Sequence, residues 1–599
     1  MNILGLSLGI LSTAAISKGN KIIACASEER FSRLKNDEAF PLKSIEYCLD
    51  EAGINGQELD AVVIGGKQLN LNTHLMRKYS KWSINDHYDL QNKFWKPKLL
   101  NNEDVDFNKT FEHKIDIDQF PGPIKWKNLL GKISKNYNSE EDLKIYNNFI
   151  HDLIVEVTGV KREKIHHLDH HQCHAAYAYW ASPIRGENTL VMTADAYGDG
   201  KSTTLSTIGT KGEIVLQHEV SANEFQLGRL YRSITLLMGM MPDAHEFKVM
   251  GMAPYAKEPI MRDAYNVFKK GMYLDGLNFK YKEKPSDLFF YFKDRLERSR
   301  FDGIAGALQQ YTEDILLEYT KNALEKFNCD KFVFSGGISM NVKANMLIKD
   351  LRGLNDMFVA PSGGDESLSI GACFAYLDQI QGKRDLEPIK SGYLGPDVSK
   401  EDINQCLLKA KKEGFIVETA NNSKIADLLI KGKVIGRCVG RAEFGARALG
   451  NRSIIADARN RKIVNIINGK VKNRDFWMPF APSILHESSK DLIINPKNIF
   501  SPYMTIAFES TKKGAEYLDA GSHPADETLR PQMVTKNMNP KYHSLIKEFQ
   551  NKTGVGGILN TSFNLHGSPI VNTASEAYNV FKKTDIDILL FDGKLVSKE

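Results

Sequence analysis

The sequence is short of several things, and each shortage excludes a class of protein. Its 599 residues hold only seven cysteines, at 25, 48, 173, 329, 373, 406 and 438. They are odd in number, widely spaced and never arranged as C-x-x-C. That argues against a disulfide framework or a thiolate zinc site and for a reducing compartment. Nowhere do 18 or more apolar residues run together, so no membrane-spanning helix is expected. The opening "MNILGLSLGILSTAAISKGNKIIA" has no basic n-region, and Gly and Ser break its apolar residues into a strand-like rhythm rather than a signal peptide. Excess charge is missing too: 79 Lys+Arg against 74 Asp+Glu leave +5, with no basic tract that would track nucleic-acid phosphates. A cytoplasmic protein with neither nucleic acid nor membrane as partner is expected.

What is present is a globular composition, 42% hydrophobic and 26% charged, in a chain too long for one core. Residues 2–27 read as strand, small-residue turn, strand, Gly-Asn turn, strand. Residues 189–219, "TLVMTADAYGDGKSTTLSTIGTKGEIVLQHE", repeat that plan, which predicts an internally duplicated α/β domain. Two later segments, "KFVFSGGISMN" (331–341) and "MFVAPSGGDESLSIGACFAYL" (357–377), each run a strand into a Gly-rich turn and a helix. That is where backbone N–H groups and a helix dipole converge on phosphate, and it makes Gly336, Gly337, Gly363 and Gly364 candidate nucleotide-binding positions. The polar stretch 381–402 reads as a linker, and a helix is expected from 402 to 413. The segment 66–150, rich in Asn, Lys, Asp and aromatics, reads equally as a lid and as a helical surface elaboration.

Three histidines fall within five positions of "LDHHQCHAAYAYW" (168–180). At helical spacing His170 and His174 share a face and His171 does not. The run is H-H-Q-C-H, without the Glu of H-E-x-x-H, which disfavours a metalloprotease. Alone it reads as a capped helix start with partly exposed imidazoles rather than as a metal face. Asp195, ending the strand "TLVMTAD", and Asp365, in "PSGGDES", shift the balance. If the duplicated fold brings both to one cleft, two His and two Asp form an N/O set suited to Fe²⁺, Mn²⁺ or Zn²⁺. Further on, "GRAEFGARALGNRSIIADARN" (440–460) and "VNIINGKVKNRDFWMPFAPSIL" (464–485) interleave Arg447, Arg452, Lys470, Lys472 and Arg474 with apolar residues. Buried Arg in such a context calls for an anion. Arg530 and the turn in "GGILNTSFNLHGSPIV" (556–571), with Asn560 and Ser562, add donors.

The motifs "ASEERFSRLKNDEAFP", "HHQCHAA", "KVMGMAPYA", "SGGISMN", "GARALGNRSIIADAR", "WMPFAP" and "LNTSFNLHGSPIV" run in order over nearly the whole chain. In these the sequence resembles the O-carbamoyltransferases of the nodulation-factor and antibiotic-tailoring type, the NodU/CmcH family. The resemblance implies an N-terminal duplicated actin-like, sugar-kinase-like ATPase fold over 1–385, close to the tRNA threonylcarbamoyl-transfer proteins, with an insertion near 66–150. It implies a linker at 386–400 and a YrdC/Sua-like α/β domain over 401–599. In such enzymes the C-terminal domain makes carbamoyl-adenylate from carbamoyl phosphate and ATP. The N-terminal domain then moves the carbamoyl group to a hydroxyl of a sugar or secondary metabolite beside a divalent metal, usually iron. Carried over position by position, the metal ligands fall on His170, His174, Asp195 and Asp365, and the adenosine side on Gly336, Gly337 and Asn341. The basic residues of the adenylate-forming site fall on Arg447, Arg452, Lys470 and Arg530. Two departures stand out. Leu11-Ser12 replaces the family's His-Asp pair in the first turn, leaving His245 or Glu246 as substitute bases, and Ser568 replaces a Glu. Two alternatives stay open at this point: carbamoyl transfer to a nucleoside or RNA, and a non-catalytic nucleotide-binding protein.

Overall fold

Short runs of small and β-branched residues separated by Gly-containing turns build the first sheet. Strands β1 (Asn2–Ser7), β2 (Thr13–Lys18) and β3 (Lys21–Ser27) pair antiparallel, and β4 (Ala61–Gly65) and β5 (Ile165–Leu168) extend it in parallel, giving the order β3-β2-β1-β4-β5. The same pattern recurs with β6 (Thr189–Gly198), β7 (Lys201–Ile208) and β8 (Ile214–Ser221). A separate hairpin, β9 (Met272–Asp275) and β10 (Asn278–Tyr281), intervenes before β11 (Lys331–Ser335) and β12 (Asp356–Val359) complete the order β12-β11-β6-β7-β8. The repeat read in the sequence is a repeat of topology: three antiparallel strands, then two parallel ones, in each half. The structure, a computed structural model, describes residues 1–67, 82–111, 128–129, 140–472 and 474–598, and of 108 and 470 the backbone only.

Two helices join the halves crosswise. The helix His170–Trp180 leaves β5 of the first sheet but packs on β6 and β11 of the second, whereas Leu368–Ala375 leaves β12 and packs on β1 and β4. The two helices also pack on each other. Every residue of Leu368–Ala375 is buried, as expected of a helix apolar on all sides. Glycine makes the approach close enough. A Cβ on Gly5 would stand 1.9 Å from the Ser369 carbonyl oxygen, and one on Gly371 would stand 2.2 Å from that of Cys173. Both obstacles are backbone and cannot swing aside. Gly371→Ala should therefore lower stability by about 1–3 kcal/mol, the usual cost of overpacking, and thermal unfolding of the full chain checks it.

Past the second half, residues 381–399 carry no helix or strand, and the next helix is Lys400–Lys412. This strap is packed rather than loose: Leu386, Ile389 and Leu394 are buried. The third sheet comprises β13 (Ile416–Thr419), β14 (Ile435–Cys438), β15 (Arg452–Ala456), β16 (Ala481–Leu485), β17 (Gln532–Val534), β18 (Gly557–Ser562), β19 (Ile588–Leu590) and β20 (Lys594–Ser597). Its order is β13-β20-β19-β14-β15-β18-β16-β17, mixed in direction, so the chain is α/β throughout. Of the segment 66–150, the described part is largely helical. Leu90, Phe94, Phe107 and Phe111 form a small core of their own there, with Trp82 and Trp95 packed on it. The remainder of that segment lies outside the described residues.

Candidate functional site

The crossed helices deliver the histidines to the strand ends of the other half. Asp169 caps the helix His170–Trp180 by accepting from the Gln172 N–H at 3.1 Å, and its carboxylate pairs with Lys201 at 3.1 Å. The His170 N–H donates to Asp199 Oδ2 at 2.8 Å, so the first turn is satisfied on both sides. His170 Nε2 then lies 3.4 Å from Asp195 Oδ2 and 3.7 Å from Asp365 Oδ1; His174 Nε2 lies 3.3 and 3.6 Å from the same atoms. One potential ligand atom from each of the four residues falls within 4.8 Å of all the others. His171 points elsewhere, with Nδ1 2.7 Å from Thr193 Oγ1. The ring of His170 has room because residue 198 is glycine: a Cβ there would sit 2.1 Å from His170 Cδ2.

The electrostatics of this cluster call for a cation. Burial alone would lower the His174 pKa, but hydrogen bonds and charge from Asp195 and Asp365 raise it to about 9. Burial, and then the charge of Asp195, raises the Asp365 carboxyl, while the two imidazoles, outweighing burial, hold Asp195 well below the usual carboxylate range. With no metal, protons must hold two facing carboxylates together. His174 Nε2 is buried and aimed between the two Asp side chains, 3.3 and 3.6 Å from their nearest oxygens. His174 Nδ1 lies 3.2 Å from Ser335 Oγ, a hydroxyl partner of the kind that orients a ligating ring. Two nitrogens and two oxygens, three of the side chains at most 12% exposed and Asp365 at 33%, fit a divalent cation with one open side.

The second cluster is cationic. The connection from β14 to β15 crosses three glycines at positive φ, Gly440, Gly445 and Gly450, and is drawn together by Glu443. Glu443 Oε1 accepts from the N–H groups of Leu449, Asn451 and Arg452 at 2.7 to 3.1 Å. Arg447 projects from this loop, and its Nε has no hydrogen-bond partner. Burial, with Glu366 opposing, pushes the Arg447 guanidinium down to about 10. Burial and then Arg447 push Arg474 to about 10, and burial with Arg447 and Arg474 holds Arg530 well below its ordinary value. Lys472, 1% exposed, is held far below the usual lysine range by burial and then by Arg474 and Lys35. Its ammonium donates to Ser562 O, to Ser562 Oγ at 3.0 Å and to Asn564 Oδ1 at 2.5 Å. Cations crowded in this way depress one another, and an anion among them would relieve the repulsion.

The two clusters adjoin. A Cβ on Gly445 would stand 2.7 Å from Ser362 Cβ, so the Arg447 loop lies on the turn that carries Asp365.

Several sequence expectations land elsewhere. Arg452, fully buried, spends its guanidinium on five carbonyls, those of Asn572, Val439, Gly440, Asn451 and Pro396, at 2.8 to 3.3 Å. Nε, Nη1 and one Nη2 N–H are engaged by backbone carbonyls inside the fold, which corrects its assignment to the anion site. Arg452→Met should cost about 3 kcal/mol or more, since it strands buried acceptors; chemical denaturation measures it. Asn341 also has another job. Its Oδ1 caps the helix Val342–Ile348 by accepting from Ala344 N–H at 3.1 Å, and its amide exchanges hydrogen bonds with Gln309 at 2.9 and 3.0 Å. Gly336 (φ +93°) and Gly363 serve close packing: a Cβ on either would meet Ala194 O at 2.2 Å or Ser339 Oγ at 1.9 Å. Gly337 lies beside Asp195, where a Cβ would stand 3.1 Å from Oδ1, and a Cβ on Gly364 would stand 2.5 Å from Glu366 Oε2. Asn560 donates to Ala448 O, Ser483 Oγ and Gln532 Oε1, steadying the residue next to Arg447. Lys470 stands in the helical turn Asn468–Lys472, and its side chain lies outside the described residues. Lys472 is the lysine brought to Ser562; its burial between charged neighbours was not readable from spacing.

His245 and Glu246 are both engaged by backbone N–H groups of their own loop. His245 Nδ1 accepts the Met241 N–H at 3.2 Å, and burial followed by Lys248 and Lys35 lowers it to about 4. Glu246 Oε1 accepts the Asp243 N–H at 2.7 Å, and burial, then Asp243, raises it to about 7. Neither set of neighbours includes the His/Asp cluster. A carboxyl raised from 4.5 to about 7 binds more protons folded than unfolded, so stability should fall as pH rises across that window. Glu246→Gln should flatten that decline, and unfolding followed from pH 4 to 8 tests it.

Comparisons with known proteins show the family. Residues 2–374 match the carbamoyltransferase N-terminus family and residues 426–598 the carbamoyltransferase C-terminus family. An uncharacterized protein of Methanocaldococcus jannaschii is 30% identical over 98% of this chain and 97% of its own length. Nodulation protein NolNO of Sinorhizobium fredii is 27% identical over 98% of this chain and 78% of that protein. Nodulation protein NolO of Bradyrhizobium diazoefficiens is 30% identical over 72% of this chain and 79% of that protein. Among solved structures, HypF of T. kodakarensis aligns with a TM-score of 0.33 at 10% identity, over 64% of this chain and 48% of that one. The chain is a transferase with two linked α/β parts, and it belongs to the carbamoyltransferase family. Among the described residues, no helix is long and apolar enough to cross a membrane.

Proposed function

We propose that the protein is an ATP-dependent O-carbamoyltransferase. Water first cleaves carbamoyl phosphate to carbamate and phosphate; a carbamate oxygen then attacks the α-phosphorus of ATP at the cation cluster of Arg447, Lys472, Arg474 and Arg530, and pyrophosphate leaves. The carbamoyl group then passes to a hydroxyl of a sugar or secondary metabolite at the His170, His174, Asp195 and Asp365 cluster, with AMP leaving. A divalent cation held there, Fe²⁺ being our choice over Mn²⁺ or Zn²⁺, would polarise an oxygen of the adenylate or the acceptor. The chain's own residues bind and orient. Lys472 and the three arginines neutralise phosphate charge, Ser562 and Asn564 fix the Lys472 ammonium, and Ser335 fixes the His174 ring. The turn at Leu11 offers no imidazole, so the acceptor proton must leave by another group or by water.

One observation carries the reading: an anion-demanding cluster and a cation-demanding cluster share a wall, the 361–366 turn against the Arg447 loop. A two-step transfer of a carbamoyl group on a nucleotide needs both. Exchange of labelled pyrophosphate into ATP that requires carbamoyl phosphate tests the first step. Mass spectrometry of a pool of candidate acceptors, seeking the gain of one carbamoyl, tests the second. ATP–pyrophosphate exchange indifferent to carbamoyl phosphate would end this reading.

A further inference from the structure

Two arginines at one short helix of the N-terminal part reach both loops that carry the cation cluster. The helix is Glu29–Ser32, and Arg33 ends it in the left-handed region, at φ 63°. Its base is fixed within the N-terminal part. Glu28 N–H donates to Ser12 O and Ser12 N–H to Asp37 O, both at 2.8 Å, and the Glu28 carboxylate accepts from Ser44 N–H at 2.9 Å. Arg30, 4% exposed, donates from Nη2 to Gly445 O at 2.8 Å, on the loop that carries Arg447. Arg33 spans the other loop. Its Nη1 and Nη2 donate to Ile570 O and Pro569 O, each at 2.9 Å, and Nη1 pairs with Glu576 at 3.1 Å.

Those two carbonyls belong to the turn that presents Lys472. Ser568 O, one residue earlier, accepts from Asn564 Nδ2 at 2.6 Å. Asn564 Oδ1 accepts in turn from Lys472 Nζ at 2.5 Å and from Ser562 Oγ at 2.7 Å. We propose that Arg33 is a positioning residue of adenylate formation: its guanidinium fixes the 568–570 backbone, which sets Asn564, which aims the Lys472 ammonium. This rests on the reading of the cation cluster as a phosphate site. A planar fork on two carbonyls fixes direction as well as distance, which a single ammonium cannot do. Arg447 and Arg530 stand outside this chain of bonds, so a polyphosphate keeps its main partners when Arg33 is lost. What goes is the placement of one cation against the charge that develops as pyrophosphate leaves. The adenylate-forming site is then built from both parts of the chain, with its chemistry in one part and its alignment in the other.

The test uses the full chain and follows carbamoyl-phosphate-dependent exchange of labelled pyrophosphate into ATP. Glycine adopts a left-handed backbone without strain, so Arg33→Gly removes the guanidinium and leaves the turn intact. Its kcat should fall by about tenfold to a hundredfold, the usual loss when a group supporting a site from behind is removed. KM for ATP should stay near the wild-type value, the mark of an interaction made in the transition state. A purely structural role would instead lower the melting temperature and leave kcat per folded molecule unchanged. Arg33→Lys keeps the charge but cannot fork; it should lose most of the same activity, and it decides the matter should Arg33→Gly fail to fold. In an Asn564→Ala background, removing Arg33 should cost nothing further, because both act through one ammonium. Wild-type kcat in either Arg33 variant, or losses from Arg33 and Asn564 that add in full, would overturn the positioning role and leave the phosphate site standing. If the wild type shows no carbamoyl-phosphate-dependent exchange, the phosphate-site reading falls and the positioning role falls with it.

Discussion

Replacing Arg530 by Met should abolish adenylate formation and at the same time raise the melting temperature. The two effects share one cause. Arg530 is held well below its ordinary pKa by burial and by the charges of Arg447 and Arg474, so the empty protein carries a repulsion that only a bound anion relieves. Removing one of the three cations relieves it permanently, as substitutions at strained functional sites often do. Carbamoyl-phosphate-dependent pyrophosphate exchange should fall by about 10²–10³, the usual loss when one preorganised donor to developing charge is removed. Arg452→Met is the contrast, because that guanidinium ties together five backbone carbonyls and its loss should lower the melting temperature. Opposite shifts in unfolding for these two arginines would separate function from scaffold. A lower melting temperature for Arg530→Met would mean that the cluster is held by contacts and not waiting for charge.

The second large effect is expected at the other cluster. Asp195→Asn combined with His174→Ala should reduce carbamoyl transfer by roughly a thousandfold. That corresponds to about 4 kcal/mol of transition-state stabilisation, within the several kcal/mol a bound cation supplies. Pyrophosphate exchange should stay near the wild-type rate, because neither residue touches Arg447, Lys472, Arg474 or Arg530. Stoichiometric binding of Mn²⁺, followed by its paramagnetic signal, should be lost in the double variant and retained in Arg530→Met. Unchanged Mn²⁺ binding would show that the four side chains hold a proton network and not a metal. The geometry argues otherwise: both imidazole Nε2 atoms lie 3.3 to 3.7 Å from two carboxylate oxygens, with room for an ion among them.

Much of this was legible before any coordinates. The strand-turn-strand repeat at 2–27 and 189–219 is local, set by tight turns and β-branched alternation, and it emerged as two sheets of identical order. The i, i+4 spacing of His170 and His174 fixed which histidines share a face, and it set His171 apart. The resemblance named the family that the matches over 2–374 and 426–598 then showed.

What the sequence by itself determined is what depends on neighbours along the chain: the strands and their turns, the face of the histidine helix, and the residue types able to hold a cation or an anion. Tertiary structure decided which of those residues meet. Arg447 and Arg452 are five residues apart in one motif, yet one faces an anion site and the other is consumed by backbone carbonyls. Lys472 reaches Ser562 across 90 residues, and Ser362 meets Gly445 of the Arg447 loop across about 80. Composition cannot tell a saturated guanidinium from an unsatisfied one. Charge and hydrogen-bonding capacity belong to the side chain, but whether they are already spent depends on the folded surroundings.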